Sequence, residues 1–207
     1  MGKSRETSRR SVLSSIGAVA LGVSGVGTVV STGPSNRVTQ GEARKVARLK
    51  LQRIQSQDLP GYSTWNGATL RKPMKFYAKN SGKGPAYVPS AHLFTVMNRG
   101  SDVGYLTISA DRRNPAVIEF SNATPPSKHV RKFKSRAKAV GRSPTGRKLY
   151  HGGLDYQLEL NGEVGVNLQN GIASSVYARS KFAPGKNEVS KGRVKNQWDD
   201  ISKRGGI

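Results

Sequence analysis

Few residues of this 207-residue chain have the types and spacing that catalysis requires. Its histidines, His92, His129 and His151, stand at no metal-ligand spacing from one another or from a carboxylate. The absence of cysteine excludes thiolate zinc sites, cysteine nucleophiles and disulfides. Asp155 and Glu159 would share one strand face, as a glycosidase carboxylate pair can, but such strand positions are more often solvated. We therefore predict that the chain is not an enzyme and binds no metal or cofactor.

Charge is the strongest chemical signal in the chain. Lysine and arginine number 35 against 12 aspartates and glutamates, a formal net charge of +23. A charge of this size predicts a polyanionic or acidic partner. Basic residues are densest in residues 128–148, where there are nine of them and no acidic residue. The candidate partner-binding residues in this run are Arg131, Lys132, Lys134, Arg136 and Lys138.

The basic run has two possible forms. Val130, Phe133, Ala137 and Val140 recur at helical spacing, but the prolines before them and the glycines after them suit a mobile loop equally. Phe133 is the one aromatic residue in the run, whereas nucleic-acid binding usually pairs basic strips with exposed aromatics. We therefore rank an acidic peptide or protein first as partner, an anionic membrane second and nucleic acid third.

The N-terminal segment has the form of an export signal. Arg9 and Arg10 precede Val12, Leu13 and a stretch that carries no charge as far as Asn36. Paired arginines before a moderately hydrophobic run are typical of twin-arginine signals, which the Tat translocon reads. The alternative is an accidental arginine pair before a buried helix, but the many glycines and serines do not favour a buried helix. Residues 1–36 are therefore predicted to direct export of the folded protein.

The fate of this signal is open. Residues 12–30 are nearly long enough to span a membrane, and no clear Ala-x-Ala cleavage site follows them. The signal is either cleaved or retained as a membrane anchor. The predicted location is the outer face of the cell membrane or the medium, which argues against an intracellular nucleic acid as partner.

A helix and a set of strands follow. Thr39 and Glu42 form a predicted capping box, and Pro60 ends the helix behind it. Its basic face either lies on an anionic membrane or is solvated while the apolar stripe packs, and we favour packing. The apolar stripe comprises Ala43, Val46, Ala47, Leu51 and Ile54. Alternating residues predict strands at 75–78, 92–98, 103–110 and 116–121, and a hairpin over 154–168 that turns at Asn161-Gly162.

One of these strand pairs resembles a known family. Residues 98–121 read NRGSDVGYLTISADRRNPAVIEFS, with a glycine-aromatic-aliphatic start at Gly104 and a Ser-Ala-Asp-x-Arg sequence at residues 109–113. This stretch resembles the pro-domain of the streptopain-type cysteine peptidases. That pro-domain is a small α+β unit with a helix against a curved antiparallel sheet, and it occludes its enzyme. Because this chain has no cysteine nucleophile, the resemblance implies a sequestering module.

The whole arrangement also resembles the N-terminal immunity region of haloarchaeal microhalocin precursors. The resemblance rests on the export signal, the basic charge and the end of the chain, where residues 203–207 have the form of a processing junction. It implies an exported immunity protein that binds and sequesters an acidic, cysteine-rich antimicrobial peptide, which the same precursor can encode. The alternatives are a pro-domain-like peptidase inhibitor and a basic protein that binds membrane surfaces or nucleic acid.

The predicted fold class is α+β, with an N-terminal helix packed on a curved antiparallel sheet. A signal segment, residues 1–36, precedes the binding domain, residues 37–180. A flexible basic tail follows as residues 181–207, with Trp198 as an aromatic anchor.

Overall fold

The computed structural model describes residues 36–79, 86–161, 164–175 and 190–205. The predicted export signal, with Arg9, Arg10, Val12 and Leu13, lies outside the described residues apart from its last position.

The first helix, α1 (Gln40–Ser56), begins at the predicted capping box. The Thr39 hydroxyl accepts a hydrogen bond from the Glu42 backbone N–H at 3.2 Å, and the Glu42 carboxylate accepts one from the Thr39 N–H at 2.7 Å. All five residues of the predicted apolar stripe are buried. The predictions that this helix is capped at Thr39 and packs by its apolar face are confirmed.

Nine strands of the described ranges form one sheet. They are β1 (Thr69–Leu70), β2 (Met74–Lys79), β3 (Tyr87–Asn98), β4 (Ser101–Ser109), β5 (Val117–Ser121), β6 (Pro144–Tyr150), β7 (Tyr156–Leu160), β8 (Val164–Asn167) and β9 (Ala173–Ser175). Their order is β5-β4-β3-β2-β6-β7-β8-β9, and β1 pairs with β3. Every pairing is antiparallel except that of β2 with β6, which is parallel.

The sheet is strongly curved. Strands β5 and β7 are five positions apart in the order, so a flat sheet would separate them by about 24 Å. Instead the Tyr156 hydroxyl of β7 lies 3.0 Å from the Glu119 carboxylate of β5 and 2.6 Å from the Thr107 hydroxyl of β4. The face that carries these three side chains is therefore concave. Together with α1, this curvature confirms the predicted fold class.

Each face of the sheet has its own apolar core. Helix α1 packs on the convex face, together with Trp65 of a short 3-10 turn. The sheet residues in that core include Phe94, Val96, Leu106 and Ile108. Helix α2 (Val130–Ala139) covers the concave face, where the core includes Phe76, Leu93, Tyr105, Phe133, Tyr150, Tyr156 and Leu158. Ten residues of the basic run at 128–148 thus form a helix, and the end of the run belongs to β6. Of the two forms that the sequence allowed, the structure shows the helix and not the loop.

A third helix corrects the prediction of a flexible tail. Residues Lys191–Gly205 form α3, and its Val194 and Trp198 side chains are buried in the convex core. The Trp198 indole N–H donates to the Asn114 carbonyl at 3.0 Å, and the Ala116 N–H donates to the Gln197 side chain at 3.1 Å. Val194 and Trp198 are four residues apart, so they lie on one helix face. That spacing could have predicted a buried helix face in an otherwise polar sequence.

Candidate functional site

The parallel pair of β2 with β6 borders a cavity lined by basic residues. Strands β2 and β6 pair only at Tyr77 and Leu149. A cavity of about 670 Å³ lies beside this pair, at the start of β2 and along the second half of β6. We call this cavity the basic gap. Its lining residues are Lys72, Pro73, Met74, Lys75, Tyr77, Gly146, Arg147 and Lys148.

A bulge in β6 shapes one wall of the basic gap. Pro144 pairs with Leu160 and Lys148 with Leu158, so three residues of β6 face the single residue Glu159 of β7. Gly146 lies inside this bulge with a φ of +88°, a conformation that favours glycine. Bulges disrupt the ladder locally and redirect side chains. This one places Arg147 over Glu159 and at the edge of the gap.

Glu159 of β7 holds Arg147 in that wall of the basic gap. Its carboxylate accepts hydrogen bonds from the hydroxyls of Thr145 and Tyr87 and from Nε of Arg147, the last at 2.6 Å. Burial opposes its ionisation, but these hydrogen bonds and the arginine charge outweigh burial and lower the pKa of Glu159. The Arg147 guanidinium also lies over the Tyr87 ring, 4.1 Å from its centroid.

The sequence-based interpretation of the β7 carboxylates is therefore wrong. Asp155 and Glu159 are not solvated strand residues, because both are buried. Asp155 accepts hydrogen bonds from the amides of Gln157 and Asn167 at 3.1 Å. Their partners make both carboxylates part of the framework, and neither shows the opening to substrate that a catalytic pair needs. Strand β7 also begins at Tyr156, since Leu154 has a φ of +72° and lies in a turn.

The basic gap is bordered by cations from both faces of the sheet. Lys75 of β2 pairs with His92 of β3, and the His92 ring bonds Val38 on the convex side. The Lys75 side chain therefore lies on the convex face of the sheet. The Arg147 side chain also lies on the convex face, because it bonds Glu159 of β7. Glu159 is two residues from Gln157, and Gln157 pairs with Leu149, whose side chain points to the convex face. Lys148 lies opposite Leu158 of the concave core. The residues that line the basic gap therefore come from both faces of the sheet.

Helix α2 contributes to the concave side of the opening. Burial lowers the pKa of Lys148, and the nearby charge of Lys134 lowers it further. Lys134 is thus the predicted partner-binding residue that the structure places beside the gap. At 100° per residue, Arg131 and Lys138 share its flank of the helix, whereas Lys132 and Arg136 lie on the opposite flank.

The sequence did not identify the rest of this site. Lys72, Lys75 and Tyr77 were outside the basic run, and Arg147 and Lys148 were within it but not among the candidates. No local pattern reveals that β2 lies beside β6, because about 70 residues separate them. Only parallel pairing across the sheet brings these cations together.

A third buried carboxylate, that of Glu119, lies in the concave core. Glu119 accepts hydrogen bonds from the hydroxyls of Tyr105 and Tyr156, and burial raises its pKa to about 7 despite them. The Tyr156 hydroxyl also bonds the Thr107 hydroxyl at 2.6 Å. These contacts hold Glu119 within the core, away from the basic gap.

The remaining candidates for chemistry have structural contacts. The His92 ring nitrogen lies 3.2 Å from the Val38 carbonyl, and burial lowers the pKa of His92. The Asp111 carboxylate accepts hydrogen bonds from the backbone and side chain of Arg113. Within the described ranges, no cluster of three or more His, Asp or Glu residues could hold a metal ion. Among the helices described, none is long and apolar enough to cross a membrane.

Comparison with protein-family models, with curated proteins and with solved structures finds no match.

Proposed function

We propose that this chain is a non-catalytic binding protein that sequesters an acidic exported peptide, and that it thereby protects its producer from an antimicrobial peptide. The observation that carries the proposal is the basic gap. Lys72, Lys75, Arg147 and Lys148 line one cavity of about 670 Å³ in a chain of net charge +23. Cations held together in a cleft attract anions because their fields add there.

The arrangement of the cations favours a polypeptide over a small anion. Lys75 and Arg147 are on the convex side of the opening, while Lys148 and Lys134 are on the concave side. A single small anion contacts one of these groups of cations at a time. A polypeptide with several carboxylates reaches both, and a cleft of this size suits a short segment of it.

The lining also suits binding at high salt. The Debye length falls to about 3 Å at 1 M salt, so only ion pairs in direct contact survive. Salts that are excluded from protein surfaces strengthen apolar burial instead. Met74 and Tyr77 supply apolar surface beside the lysines of the gap. Tyr77 is one ring among eight lining residues, whereas single-stranded nucleic acids usually bind rows of aromatic rings.

Calorimetry on the whole chain tests the site with two variants of equal charge. Lys75→Glu/Lys148→Glu reverses one cation on each side of the gap. Lys132→Glu/Arg136→Glu reverses two on the far flank of α2, and both variants lower the net charge from +23 to +19. We expect the gap variant to bind the producer's acidic peptide at least about tenfold more weakly, because like charges then meet in contact. The far-flank variant should stay within about threefold of the wild type, and Lys134→Glu should fall between them.

Three results contradict the proposal. Equal losses in both double variants would mean that net charge, and not the gap, drives binding. No binding of the acidic peptide, with tight binding of a peptidase or of DNA at the same salt, would favour an alternative function. In cells, sensitive strains that make the chain should survive the peptide, and strains that make the gap variant should survive less well. Equal survival of these two strains would mean that binding at the basic gap does not provide immunity.

A further inference from the structure

We propose that the outer face of α2 is a second binding surface, which contacts an anionic lipid bilayer. This surface, which we call the α2 face, combines exposed cations of the helix with two exposed aliphatic side chains beside it. It goes beyond the proposed function, because its residues do not line the basic gap and its contact needs no peptide. These residues are Arg131, Lys132, Arg136, Lys138, Val140 and Ile172.

The first support is positive charge that no neighbouring carboxylate balances. The chain has no acidic residue between Glu119 and Asp155, and both of these carboxylates are buried. Among the ion pairs of the described residues, none includes a residue of α2. Lysines and arginines close to an anionic membrane surface are attracted to its headgroups. The cations of the α2 face thus have the charge that such a surface requires.

The second support is the position of exposed aliphatic side chains. Among the described residues, Val140 and Ile172 are the large apolar side chains that stand out as exposed, at 74% and 64%. Val140 is the C-cap of α2. Ile172 follows Gly171, and a Cβ on Gly171 would lie 2.8 Å from the Phe133 ring of α2. Both exposed aliphatic side chains therefore border the same basic helix.

This combination favours a bilayer over other partners. A bilayer offers anionic headgroups to the cations and an apolar interface to the aliphatic side chains. Single-stranded nucleic acids usually stack on exposed aromatic rings, and Phe133, the aromatic residue of α2, is buried. A second copy of the chain would bring like charges together at this face.

Vesicle binding by the whole chain tests the charges of the α2 face. The vesicles contain equal parts of phosphatidylglycerol and phosphatidylcholine, or phosphatidylcholine alone, at about 0.15 M salt. The far-flank variant, Lys132→Glu/Arg136→Glu, alters the α2 face, and the gap variant, Lys75→Glu/Lys148→Glu, has the same net charge. We expect the far-flank variant to bind the anionic vesicles at least about tenfold more weakly than the wild type. The gap variant should stay within about threefold of the wild type, and vesicles of phosphatidylcholine alone should bind all three proteins more weakly.

A variant without a change of charge tests the aliphatic side chains. Val140→Ser/Ile172→Ser keeps every cation and removes apolar surface at two exposed positions. We expect it to bind the anionic vesicles about fivefold more weakly or less tightly still, because apolar side chains that enter the interface add to the electrostatic attraction.

Single cysteines locate the contact, because the chain has no cysteine of its own. Val140→Cys and Ile172→Cys are labelled with a fluorophore whose emission shifts to the blue in apolar surroundings. Gly192→Cys in α3, where a Cβ meets nothing within 4 Å, is the control on the convex side. Anionic vesicles should shift the emission of the first two labels and leave the control unchanged. The label position matters because the apolar residues 12–30 can bind vesicles by themselves.

Three results would overturn the inference. Equal vesicle binding by the far-flank and gap variants would mean that net charge or another segment carries the binding. Equal shifts of all three labels, or none, would place the contact elsewhere. Binding of DNA more tightly than of anionic vesicles, unchanged in Val140→Ser/Ile172→Ser, would assign the α2 face to nucleic acid. Calorimetry with the acidic peptide is independent of these results, so the proposed function and this inference can fail separately.

Discussion

Two buried glutamates show how partners decide the behaviour of a residue type. Glu159 and Glu119 are 2% and 4% exposed, yet their pKa values shift in opposite directions. Glu159 has the Arg147 guanidinium and two hydroxyls as donors, which stabilise its charged form. The donors to Glu119 are the hydroxyls of Tyr105 and Tyr156, which carry no charge, so burial dominates and favours the neutral acid. Desolvation and pairing are thus separable causes of a pKa shift.

Glu119 should make the protein less stable as the pH rises. Its pKa is about 7 in the folded state and 4.5 in the unfolded state, so between these values the folded protein keeps a proton that the unfolded chain releases. The free energy of unfolding should therefore fall from about pH 4.5 to about pH 7, by about 3 kcal/mol. Glu119→Gln, which mimics the protonated acid, should remove this decrease. Urea unfolding of both proteins between pH 4.5 and 8 measures it.

The difference between the two proteins isolates Glu119. His92, whose pKa is lowered, contributes a slope of opposite sign, since stability is lost as the pH falls through its unfolded value. Because His92 is present in both proteins, its contribution cancels in the comparison. Parallel stability curves for wild type and Glu119→Gln would show that the carboxyl titrates normally in the fold.

Gly104 is required by close packing. A Cβ at this position would lie 2.4 Å from the Ser121 carbonyl oxygen and 2.6 Å from the Trp65 ring, and its φ is +155°. The Trp65 indole N–H bonds the Val103 carbonyl at 2.9 Å, so the ring cannot move away without breaking that bond. We expect Gly104→Ala to lower the free energy of unfolding by about 3 kcal/mol or more. Gly192→Ala in α3, where a Cβ meets nothing, is the control and should be neutral or stabilising. Equal denaturation midpoints for wild type and Gly104→Ala would contradict this account.

At the scale of elements, the turn between β4 and β5 connects the two helices of the convex face. Arg112 of this turn bonds Glu42 of α1 at 2.6 Å. Its guanidinium also lies 5.1 Å from the centroid of the Trp198 ring of α3. The Trp198 indole N–H bonds Asn114 of the same turn. Residues of this turn therefore help to hold both helices against the sheet.

Truncation of Trp198 should detach α3. The side chain is 3% exposed, and its loss removes both apolar contacts and the bond to Asn114. We expect Trp198→Ala to lower the free energy of unfolding by about 3–5 kcal/mol. Lys195→Ala, at an exposed position of the same helix, should change it by less than about 0.5 kcal/mol. Circular dichroism during urea unfolding compares the three proteins, and a Trp198→Ala curve identical to wild type would mean that α3 adds no stability.

For the whole molecule, charge is the dominant property. With 35 cations and 12 acidic residues, one-to-one pairing inside the chain leaves 23 cations over. Several of the acidic residues serve framework ion pairs, including Glu42 with Arg112 and Glu159 with Arg147. The chain thus has little acidic surface with which to balance its lysines, and an acidic partner would supply that balance.

Export remains a prediction for the whole protein. Arg9→Lys/Arg10→Lys keeps the charge and removes the planar guanidinium groups that the translocon receptor reads, so the variant should stay in the cytoplasm. Arg5→Lys, outside the pair, is the matched control and should be exported like the wild type. Fractionation of producing cells compares the three. Arrival of the double variant at the membrane or in the medium would exclude a twin-arginine signal.

The sequence by itself determined the elements whose patterns are local. The capping box at Thr39, the stripe of α1, and the alternation of β4, β5, β7 and β8 all lie within windows of fewer than 20 residues. Hydrophobic periodicity located these elements and identified the buried face of α1, whereas β4, β5 and β7 are buried on both faces over most of their length. Charge also needs no structure, since it is a sum over the chain.

The tertiary structure alone decided the site. Curvature brings β7 against β4 and β5, so Tyr156 reaches Glu119 although four strands separate β7 from β5 in the sheet order. Parallel pairing brings β2 beside β6 and forms the basic gap. Both arrangements depend on contacts between residues far apart in sequence, and their energy comes from packing that no local window contains. For the same reason Glu159 reads as a solvated strand residue in the sequence and is a buried, paired carboxylate in the fold.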